Sequence, residues 1–452
     1  MRIIVAGAGR IGYSVASELS KERHDITVIE RSAEVCAEVS DTLDVFTVNG
    51  NAAACDILEE ADAGSADLLI AVTEADETNL MICLTAKKLG VSHTIARVRN
   101  NEYYKQISIF KNEFGLSMTI NPEEATAGEI SRILRFPSAL KVEPFARGSA
   151  ESIEIRVSAS SPLDGLKTAD FHRIFSERVL ICAVSRQKDV FIPRGDFVLQ
   201  AGDRLNIVGG YKEIVSFLKK VTGGISSVKT VIVLGGGTIS RYLLSQLYGS
   251  GIAIKVIEKN EDVCARISSA YPRAGLVLAD GRKSNILTEE GLESADAFVA
   301  LTGDDDDNVI TSMYAMSMGV KKVVTKITEG HIIRMLESSN LDSVVQPSAI
   351  ATQHVVQYVR SMQNAYDISI DALYYTFDGK VEILEFKISG SPRYLNTPLK
   401  NLHISHDALI ASIIHEGKCI IPSGDDVISS GDSVIVATVR SGIVRPEDVL
   451  EA

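Results

Sequence analysis

Three glycines near the start of the chain have the spacing of a phosphate-binding turn. They lie in Gly7-Ala8-Gly9-Arg10-Ile11-Gly12, which follows the apolar run Ile3-Ile4-Val5 and precedes a helical pattern. In a GxGxxG turn the first glycine makes the reversal, the second lets a diphosphate approach, and the third allows close helix packing. The helix start offers free N–H groups to a phosphate. The sequence therefore predicts a nucleotide site, with an empty structural turn as the alternative.

An acidic residue lies where the adenosine ribose of such a nucleotide would bind. Glu30 follows Gly12 by 18 residues and ends the second predicted strand. A carboxylate there accepts hydrogen bonds from both ribose hydroxyls and repels a 2′-phosphate. The sequence therefore predicts NAD(H) rather than NADP(H).

A second turn of this kind lies in the other half of the chain. It reads Gly235-Gly236-Gly237-Thr238-Ile239-Ser240, and Glu258 follows at the same 18-residue spacing. Ser240 replaces the last glycine and adds a Cβ and a hydroxyl at the packing position. We predict nucleotide binding here as well, with a mononucleotide or an empty cleft as the alternative.

Polar residues are also predicted at the ends of later strands. Thr73 and Thr302 each end a fourth strand, and Arg97 and Lys326 each end a fifth. Ligands of open α/β sheets bind at this carboxyl edge. The Arg97 guanidinium can bind phosphate through two hydrogen bonds, whereas Lys326 is a point charge. A surface salt bridge is the alternative role for both cations.

Two groups of residues suggest metal binding only weakly. Asp304-Asp305-Asp306-Asp307 is a run of carboxylates that suits Mg²⁺ or Ca²⁺. Because the run precedes a helical pattern, solvated carboxylates that cap the helix are the favoured interpretation. His403, His406 and Asp407 fall in a predicted loop, and we expect no metal there.

The elements around these residues occur twice, at an offset of 228–229 residues. Val28-Ile29-Glu30 recurs as Val256-Ile257-Glu258, and Asn79 recurs as Asn308. In the later part of each repeat, Ile192-Pro193-Arg194-Gly195-Asp196 recurs as Ile421-Pro422-Ser423-Gly424-Asp425. The chain is therefore two copies of one unit, joined near residues 222–227.

Each copy is predicted to contain two domains. Its first part alternates apolar strands with helical patterns at about 25-residue spacing, which indicates a doubly wound, Rossmann-like parallel sheet. Its second part has short strands and Gly-Asp turns, which indicate a small α+β domain. The fold class is α/β. The predicted bounds are 1–135 and 228–365 for the Rossmann-like domains, and 136–222 and 366–452 for the small domains.

Composition restricts the classes of function. The net charge of −13 argues against a broad nucleic-acid surface. The sequence has neither an apolar run of membrane-spanning length nor a signal-peptide pattern, so a cytoplasmic protein is expected. None of the six cysteines forms a CxxC pair, and buried, reduced thiols are the favoured interpretation.

These motifs together resemble the TrkA family of potassium-uptake regulatory subunits, which are built from two RCK (regulator of potassium conductance) units. The resemblance covers essentially the whole chain and includes Ala71-Val72-Thr73, Ile95-Ala96-Arg97-Val98-Arg99 and the Pro-x-Gly-Asp turns. It implies a ring of subunits under a membrane potassium transporter, with NAD(H) or ATP/ADP as effectors. The ligand residues that it implies are Gly7 to Gly12, Glu30, Thr73, Glu74 and Arg97, and Gly235 to Ser240, Glu258, Thr302 and Lys326.

Two other classes of protein bind nucleotides but need features that this sequence lacks. An NAD-dependent oxidoreductase needs an acid–base residue at the nicotinamide, and the two small domains share no His, Lys or Tyr at matched turn positions. A transcription regulator needs a basic helix-turn-helix, which the acidic sequence lacks. The predicted function is therefore a nucleotide-binding regulatory subunit without catalytic activity, and an oxidoreductase is the alternative.

Overall fold

A computed structural model of the chain describes residues 1–450, except for residues 137, 223–227, 336–340, 342, 364–367, 378 and 391. Most of the segment predicted to join the two copies therefore lies outside the described residues. No helix among the described residues is long and apolar enough to cross a membrane.

The first sheet is parallel and has the strand order β3-β2-β1-β4-β5-β6. Its central strands are continuous apolar runs because both faces of a parallel sheet are covered by helices; all four residues of β4 are buried. The strands are β1 Arg2–Ala6, β2 Asp25–Glu30, β3 Phe46–Asn49, β4 Leu68–Ala71, β5 His93–Arg97 and β6 Met118–Ile120.

Helices alternate with these strands, and their ends follow from local sequence. Ser32 caps α2 by accepting a hydrogen bond from the Val35 N–H. The helix α4 has acidic residues in its first turn and lysines in its last, and Gly90 ends it in a left-handed conformation with φ of 110°. The helices are α1 Arg10–Lys21, α2 Ala33–Thr42, α3 Cys55–Glu60, α4 Asp76–Leu89, α5 Asn101–Phe110 and α6 Pro122–Arg135.

A smaller antiparallel sheet follows, with the order β10-β9-β11-β8-β7. The amphipathic helix α8 buries Ile214, Phe217, Leu218 and Val221 on one side. The elements are β7 Lys141–Phe145, β8 Ala150–Arg156, α7 Phe171–Ile174, β9 Val179–Arg186, β10 Asp189–Phe191, β11 Arg204–Gly209 and α8 Tyr211–Val221.

The second half repeats the parallel sheet, with the order β14-β13-β12-β15-β16-β17. The strands are β12 Thr230–Leu234, β13 Ala253–Glu258, β14 Gly275–Leu278, β15 Ala297–Ala300, β16 Lys322–Lys326 and β17 Ser343–Val345. The helices are α9 Thr238–Leu247, α10 Glu261–Ala270, α11 Ser284–Glu289, α12 Asp305–Ser317, α13 Gly330–Met335 and α14 Pro347–Gln363.

The second small sheet is also antiparallel, with the order β18-β19-β22-β20-β21. Its strands are β18 Ile368–Thr376, β19 Val381–Ile388, β20 Ala408–His415, β21 Lys418–Ile420 and β22 Ser433–Thr438. The predicted α/β class, with two Rossmann-like parallel sheets each followed by a small domain, is confirmed.

The chain forms two compact units that do not coincide with the two sequence repeats. One unit contains Met1–Thr126 and Gln346–Val356, and the other contains Ala127–Val345 and Gln357–Ala452. In the second unit, the α6 residues Ile130, Ile133 and Leu134 join the core of the second parallel sheet. The two antiparallel sheets of that unit also share a core, which includes Phe145, Cys182, Phe377 and Ile435.

Candidate nucleotide-binding sites

The first glycine turn joins β1 to α1, and each glycine meets a different steric requirement. Gly7 has a φ of 99°, a value that favours glycine. A Cβ on Gly12 would lie 1.8 Å from the Gly7 carbonyl oxygen, whereas a Cβ on Gly9 would meet no atom within 4 Å. Gly9 precedes α1 without capping it through a side chain. The first N–H groups of α1 therefore face an open approach, as a phosphate site requires.

The carboxylate of Glu30 is fixed beside this turn by two backbone groups. Its Oε2 accepts from the Ala8 N–H at 2.7 Å, and its Oε1 accepts from the Ser32 N–H at 3.0 Å. Because a carboxylate oxygen accepts more than one hydrogen bond, both oxygens keep capacity for ribose hydroxyls. Of the other turn residues, Ala8 and Ile11 are buried and Arg10 is exposed.

A buried asparagine that the sequence analysis gave no role holds the predicted residue Thr73. Asn79 Oδ1 accepts from the Thr73 N–H at 2.8 Å and from its hydroxyl at 2.7 Å. Asn79 Nδ2 donates to the Thr73 carbonyl at 3.2 Å and to the Arg97 carbonyl at 3.0 Å. Asn79 therefore ties the ends of β4 and β5 together, and the Thr73 hydroxyl is left to accept rather than donate.

Arg97 is paired with a second residue that the sequence analysis missed. Its Nη2 lies 3.0 Å from Glu123 Oε1, and both side chains are largely buried. Burial lowers the pKa of the Arg97 guanidinium, although Glu123 opposes the effect. Arg97 Nε and Glu123 Oε2 are buried without a hydrogen-bond partner among the described residues. The pair therefore retains a donor and an acceptor at the end of β5.

Glu74 lies beside Thr73 with an exposed side chain, and its carbonyl accepts a hydrogen bond from Arg99 Nη2. The neighbouring Asp76 is buried and has a structural role. Its Oδ2 accepts from the N–H groups of Arg99 at 2.9 Å and Asn100 at 2.7 Å. This carboxylate fixes the segment that leaves β5.

The second glycine turn joins β12 to α9 and copies most of this geometry. Gly235 has a φ of 98°, and a Cβ on Gly237 would again meet no atom within 4 Å. Glu258 accepts from the Gly236 N–H at 2.6 Å and the Asn260 N–H at 2.8 Å. Thr238 and Ile239 form the first turn of α9.

Ser240 and Lys326 distinguish the second turn from the first. The Ser240 side chain is buried, and its hydroxyl donates to the Gly235 carbonyl. Lys326 is also buried, and its Nζ donates to the Thr302 carbonyl at 2.6 Å. The alternative of a surface salt bridge is therefore wrong for Lys326. Thr302 itself donates to Asn308 Oδ1 at 2.8 Å, as Thr73 does to Asn79.

The aspartate run acts mainly in helix capping and loop support. Asp304 caps α12 by accepting from the Asp307 N–H at 2.9 Å. The expectation of a fully solvated run is wrong for Asp305, which is buried and accepts from the N–H groups of Thr328 at 2.7 Å and Glu329 at 2.8 Å. No metal-binding group of three or more His, Cys, Asp or Glu residues occurs in the described part of the chain.

The cysteines agree only in part with the expectation of buried thiols. The free thiols Cys36, Cys83, Cys182 and Cys264 are buried, Cys419 is half-buried and Cys55 is exposed. Burial raises the pKa of Cys83 to about 12, so that thiol stays protonated near neutral pH.

Two parallel sheets with this strand order, each carrying a glycine turn and a fixed carboxylate, define a tandem Rossmann-like protein. The family model of the TrkA-N domain matches residues 3–122 and 231–347, and that of the TrkA-C domain matches residues 153–220 and 383–445. The chain belongs to the TrkA family of Trk system potassium uptake proteins, which confirms the resemblance found in the sequence.

Individual relatives support this assignment. The Trk system potassium uptake protein TrkA homolog of Archaeoglobus fulgidus is 32% identical over 94% of each chain. TrkA of Halomonas elongata is 31% identical over 80% of this chain and 79% of its own length. The solved structure of the GsuK channel bound to NAD has a TM-score of 0.63 and 14% identity, and covers 97% of this chain and 76% of that one. At this identity the likeness shows the fold alone.

Proposed function

We propose that the chain is a nucleotide-binding regulatory subunit that docks on an integral-membrane potassium transporter and controls its activity. The observation that carries the proposal is the repeated site: a glycine turn with an open approach, beside a carboxylate that backbone N–H groups hold in place. Membership of a potassium-uptake family supplies the physiological setting.

The favoured ligand of the first site is NAD(H), with ADP or ATP as the other candidates. Glu30 suits a ribose that has both hydroxyls free and disfavours a 2′-phosphate. The open approach over Gly9 leaves room for a diphosphate. Arg97 supports phosphate binding because it places a guanidinium charge at the end of β5, the edge of the sheet where ligands bind. Solved structures of GsuK are described as bound to NAD and to ADP, which makes both ligands reasonable to test.

The second site is proposed to be weaker or structural. Its cation, Lys326, already donates to the Thr302 carbonyl, so a phosphate would have to compete for it. Ser240 adds atoms beneath the turn, where the first site has Gly12. We therefore assign the main regulatory role to the first site.

We propose a binding role rather than catalysis for both sites. The side chains next to the first turn, Glu30 and Thr73, are engaged with neighbouring groups that fix their orientation. Neither has the arrangement of a general acid or base poised to transfer a proton. We expect no steady NADH oxidation with a panel of small carbonyl substrates, and turnover at ordinary enzyme rates would contradict this part of the proposal.

Self-association into a ring or another homo-oligomer is the second part of the proposal. Large apolar side chains are exposed on α4 and α12, at matching positions of the repeat: Met81 is 53% exposed, and its counterpart Ile310 is 66% exposed. Met313, one turn after Ile310, is 54% exposed. Exposed apolar residues grouped on a helix are typical of interaction surfaces.

The decisive experiment measures potassium flux in liposomes that contain the membrane partner. Gly9→Asp places a carboxylate against the phosphate approach, and Gly237→Asp makes the same change in the second site. Both glycines have φ near −60° and open space at Cβ, so both variants are expected to fold. Nucleotide-dependent flux should be lost in Gly9→Asp and largely retained in Gly237→Asp. The opposite result would show that the second site is the regulatory one.

A further inference from the structure

Buried charged side chains lie where α6 packs against β7, outside both glycine turns. Glu129 on α6 and Glu143 on β7 are each 6% exposed. The two elements are in direct contact, because Arg132 Nε donates to the Val142 carbonyl at 3.1 Å. Two carboxyl groups are therefore buried at one helix–strand contact.

The neighbouring cations Lys141 and Arg132 form ion pairs with Glu143. Lys141 Nζ lies 3.1 Å from Glu143 Oε1, and Arg132 Nη2 lies 3.7 Å from Oε2. Lys141 also donates to the Tyr375 carbonyl at 2.7 Å. Glu129 has no hydrogen bond or ion pair of this kind with any described residue. An unpaired, buried carboxylate is costly, so the neutral acid is the stable form of Glu129.

The burial and the net effect of the charges around Glu129 also favour its neutral form. Burial, followed by the nearby charge of Glu143, raises the pKa of Glu129 to about 7, although Lys141 and Arg132 act in the opposite direction. From α9 the helix faces Gln246, which does not titrate. The other ionisable groups near Glu143, Lys141 and Arg132 include Glu151 and Glu154 on β8, Arg135 on α6, and Tyr374 on β18. Burial raises the pKa of Glu151 to about 7 as well.

The other side of α6 packs into an apolar core. Ala127, Ile130, Ile133 and Leu134 pack into the core of the second parallel sheet. The helix is therefore held by an apolar core on one side and by a charged contact with β7 on the other. A new negative charge on Glu129 would act directly on the second of these contacts.

We propose that Glu129 is a proton-sensing residue, neutral beside Glu143 in the stable state, whose ionisation as pH rises loosens the packing of α6 on β7. Intracellular pH would then bias the same unit that carries the second glycine turn. The ligand of this site is the proton itself, and the change occurs close to neutrality.

Thermal and denaturant unfolding of the full chain between pH 5 and pH 8.5 tests the proposal. A carboxyl group whose pKa is higher in the folded state makes the protein less stable as pH rises from about 4.5 to about 7. Glu129→Gln keeps the shape and the neutral charge. The ratio of its folding equilibrium constant to that of wild type should therefore increase by up to roughly two powers of ten across this range. A constant ratio would overturn the proposal.

A second measurement distinguishes proton sensing from a general structural effect. Amide hydrogen exchange of residues 127–134, corrected for the intrinsic pH dependence, should be faster at pH 8 than at pH 6 in wild type. Most of this pH dependence should be lost in Glu129→Gln. Glu124→Gln, on the same helix but away from Glu143, is the matched control and should behave as wild type. If Glu129→Gln does not fold, the pKa of Glu129 is measured in the wild-type protein by carbon-13 NMR titration of its glutamates. An ordinary pKa for Glu129 would overturn the proposal.

Discussion

At the scale of single residues, the two sites depend on side chains whose orientation is fixed by neighbours before any ligand arrives. Glu30 is the example, because both of its oxygens are held by backbone N–H groups. Such preorganisation lowers the entropy cost of binding. It also means that the residues holding the site are as informative as those that face the ligand.

Replacement of Glu30 by alanine is expected to weaken NAD(H) binding. The loss should be about 1.5–3 kcal/mol, the scale of a hydrogen bond to a charged group. Titration calorimetry measures this directly, and Glu258→Ala provides the same change in the second site with a smaller expected effect. Equal affinities of wild type and Glu30→Ala would remove Glu30 from the site.

Replacement of Asn79 by alanine is expected to destabilise the first parallel sheet. Four hydrogen bonds from Asn79 reach the ends of β4 and β5, and the side chain is completely buried. Backbone groups of Thr73 and Arg97 would lose their partners, which costs on the order of 2–4 kcal/mol in the free energy of unfolding. Urea denaturation tests this, with Asn308→Ala as the counterpart in the second copy. An unchanged midpoint for both variants would contradict the assigned role.

The sequence allowed the local geometry of the first glycine turn to be predicted, whereas contacts between distant residues could not be. A glycine turn and an acid at fixed spacing are visible in one dimension, so Gly7, Gly9, Gly12 and Glu30 were found and their neighbourhood is as expected. Asn79 recurs as Asn308 in the sequence, but its role depends on contacts across two strands. Glu123 was missed because its pairing with Arg97 joins residues 26 positions apart. Ligand contact by any of these residues stays a prediction.

At the scale of elements, the two copies have matching strands but carry different residue types at some matching positions. In the first small sheet, Arg186 Nε donates to the buried Asp203 at 2.7 Å, whereas at the matching place in the second small sheet His415 Nδ1 lies 2.7 Å from Asp432. An arginine stays charged at all relevant pH values, but a histidine does not. The pair in the second small sheet therefore depends on pH near neutrality, whereas the pair in the first does not.

The His415–Asp432 pair is expected to make the second small sheet less stable at alkaline pH. The hydrogen bond and charge of Asp432 raise the pKa of His415 above its usual value. The stabilisation is present below the unfolded-state pKa and is lost as pH rises through the folded-state pKa. His415→Arg should remove this dependence, and His415→Gln should remove the stabilisation at low pH. Unfolding midpoints measured from pH 5.5 to 8.5 give the comparison, and parallel curves for His415→Arg and wild type would refute it.

Strand and helix types were predicted well because the apolar runs of a doubly wound sheet are long and regular. The ends of elements were less certain, since they depend on capping contacts. The helix α4, for example, begins at Asp76, whose buried carboxylate accepts hydrogen bonds from the backbone after β5, a contact that the local sequence does not reveal.

At the scale of the whole molecule, the proposed self-association would bring the exposed apolar side chains of α4 and α12 into contacts between copies of the chain. Ile310→Asp introduces a charge beside Met313 on α12 and should lower the average mass in sedimentation equilibrium. Met81→Asp is the matched change on α4. If neither variant alters the mass of an associating wild type, the interface lies elsewhere.

The arrangement of the compact units could not be read from the sequence. The predicted bounds assign each helix to the repeat that encodes it, whereas the units divide the chain within α6 and within α14. Periodicity identifies a helix and its apolar face, but it carries no information about which sheet that face covers.

The split composition of the first unit has a consequence for synthesis of the chain on the ribosome. That unit contains Gln346–Val356 in addition to Met1–Thr126. At ordinary rates of translation, the later segment emerges roughly 10 to 45 seconds after the earlier one is complete. During that interval the nascent first unit lacks one of its own helical segments. We therefore expect a nascent chain that carries only the first repeat to expose the apolar surface that Ala351, Val355 and Val356 later help to bury.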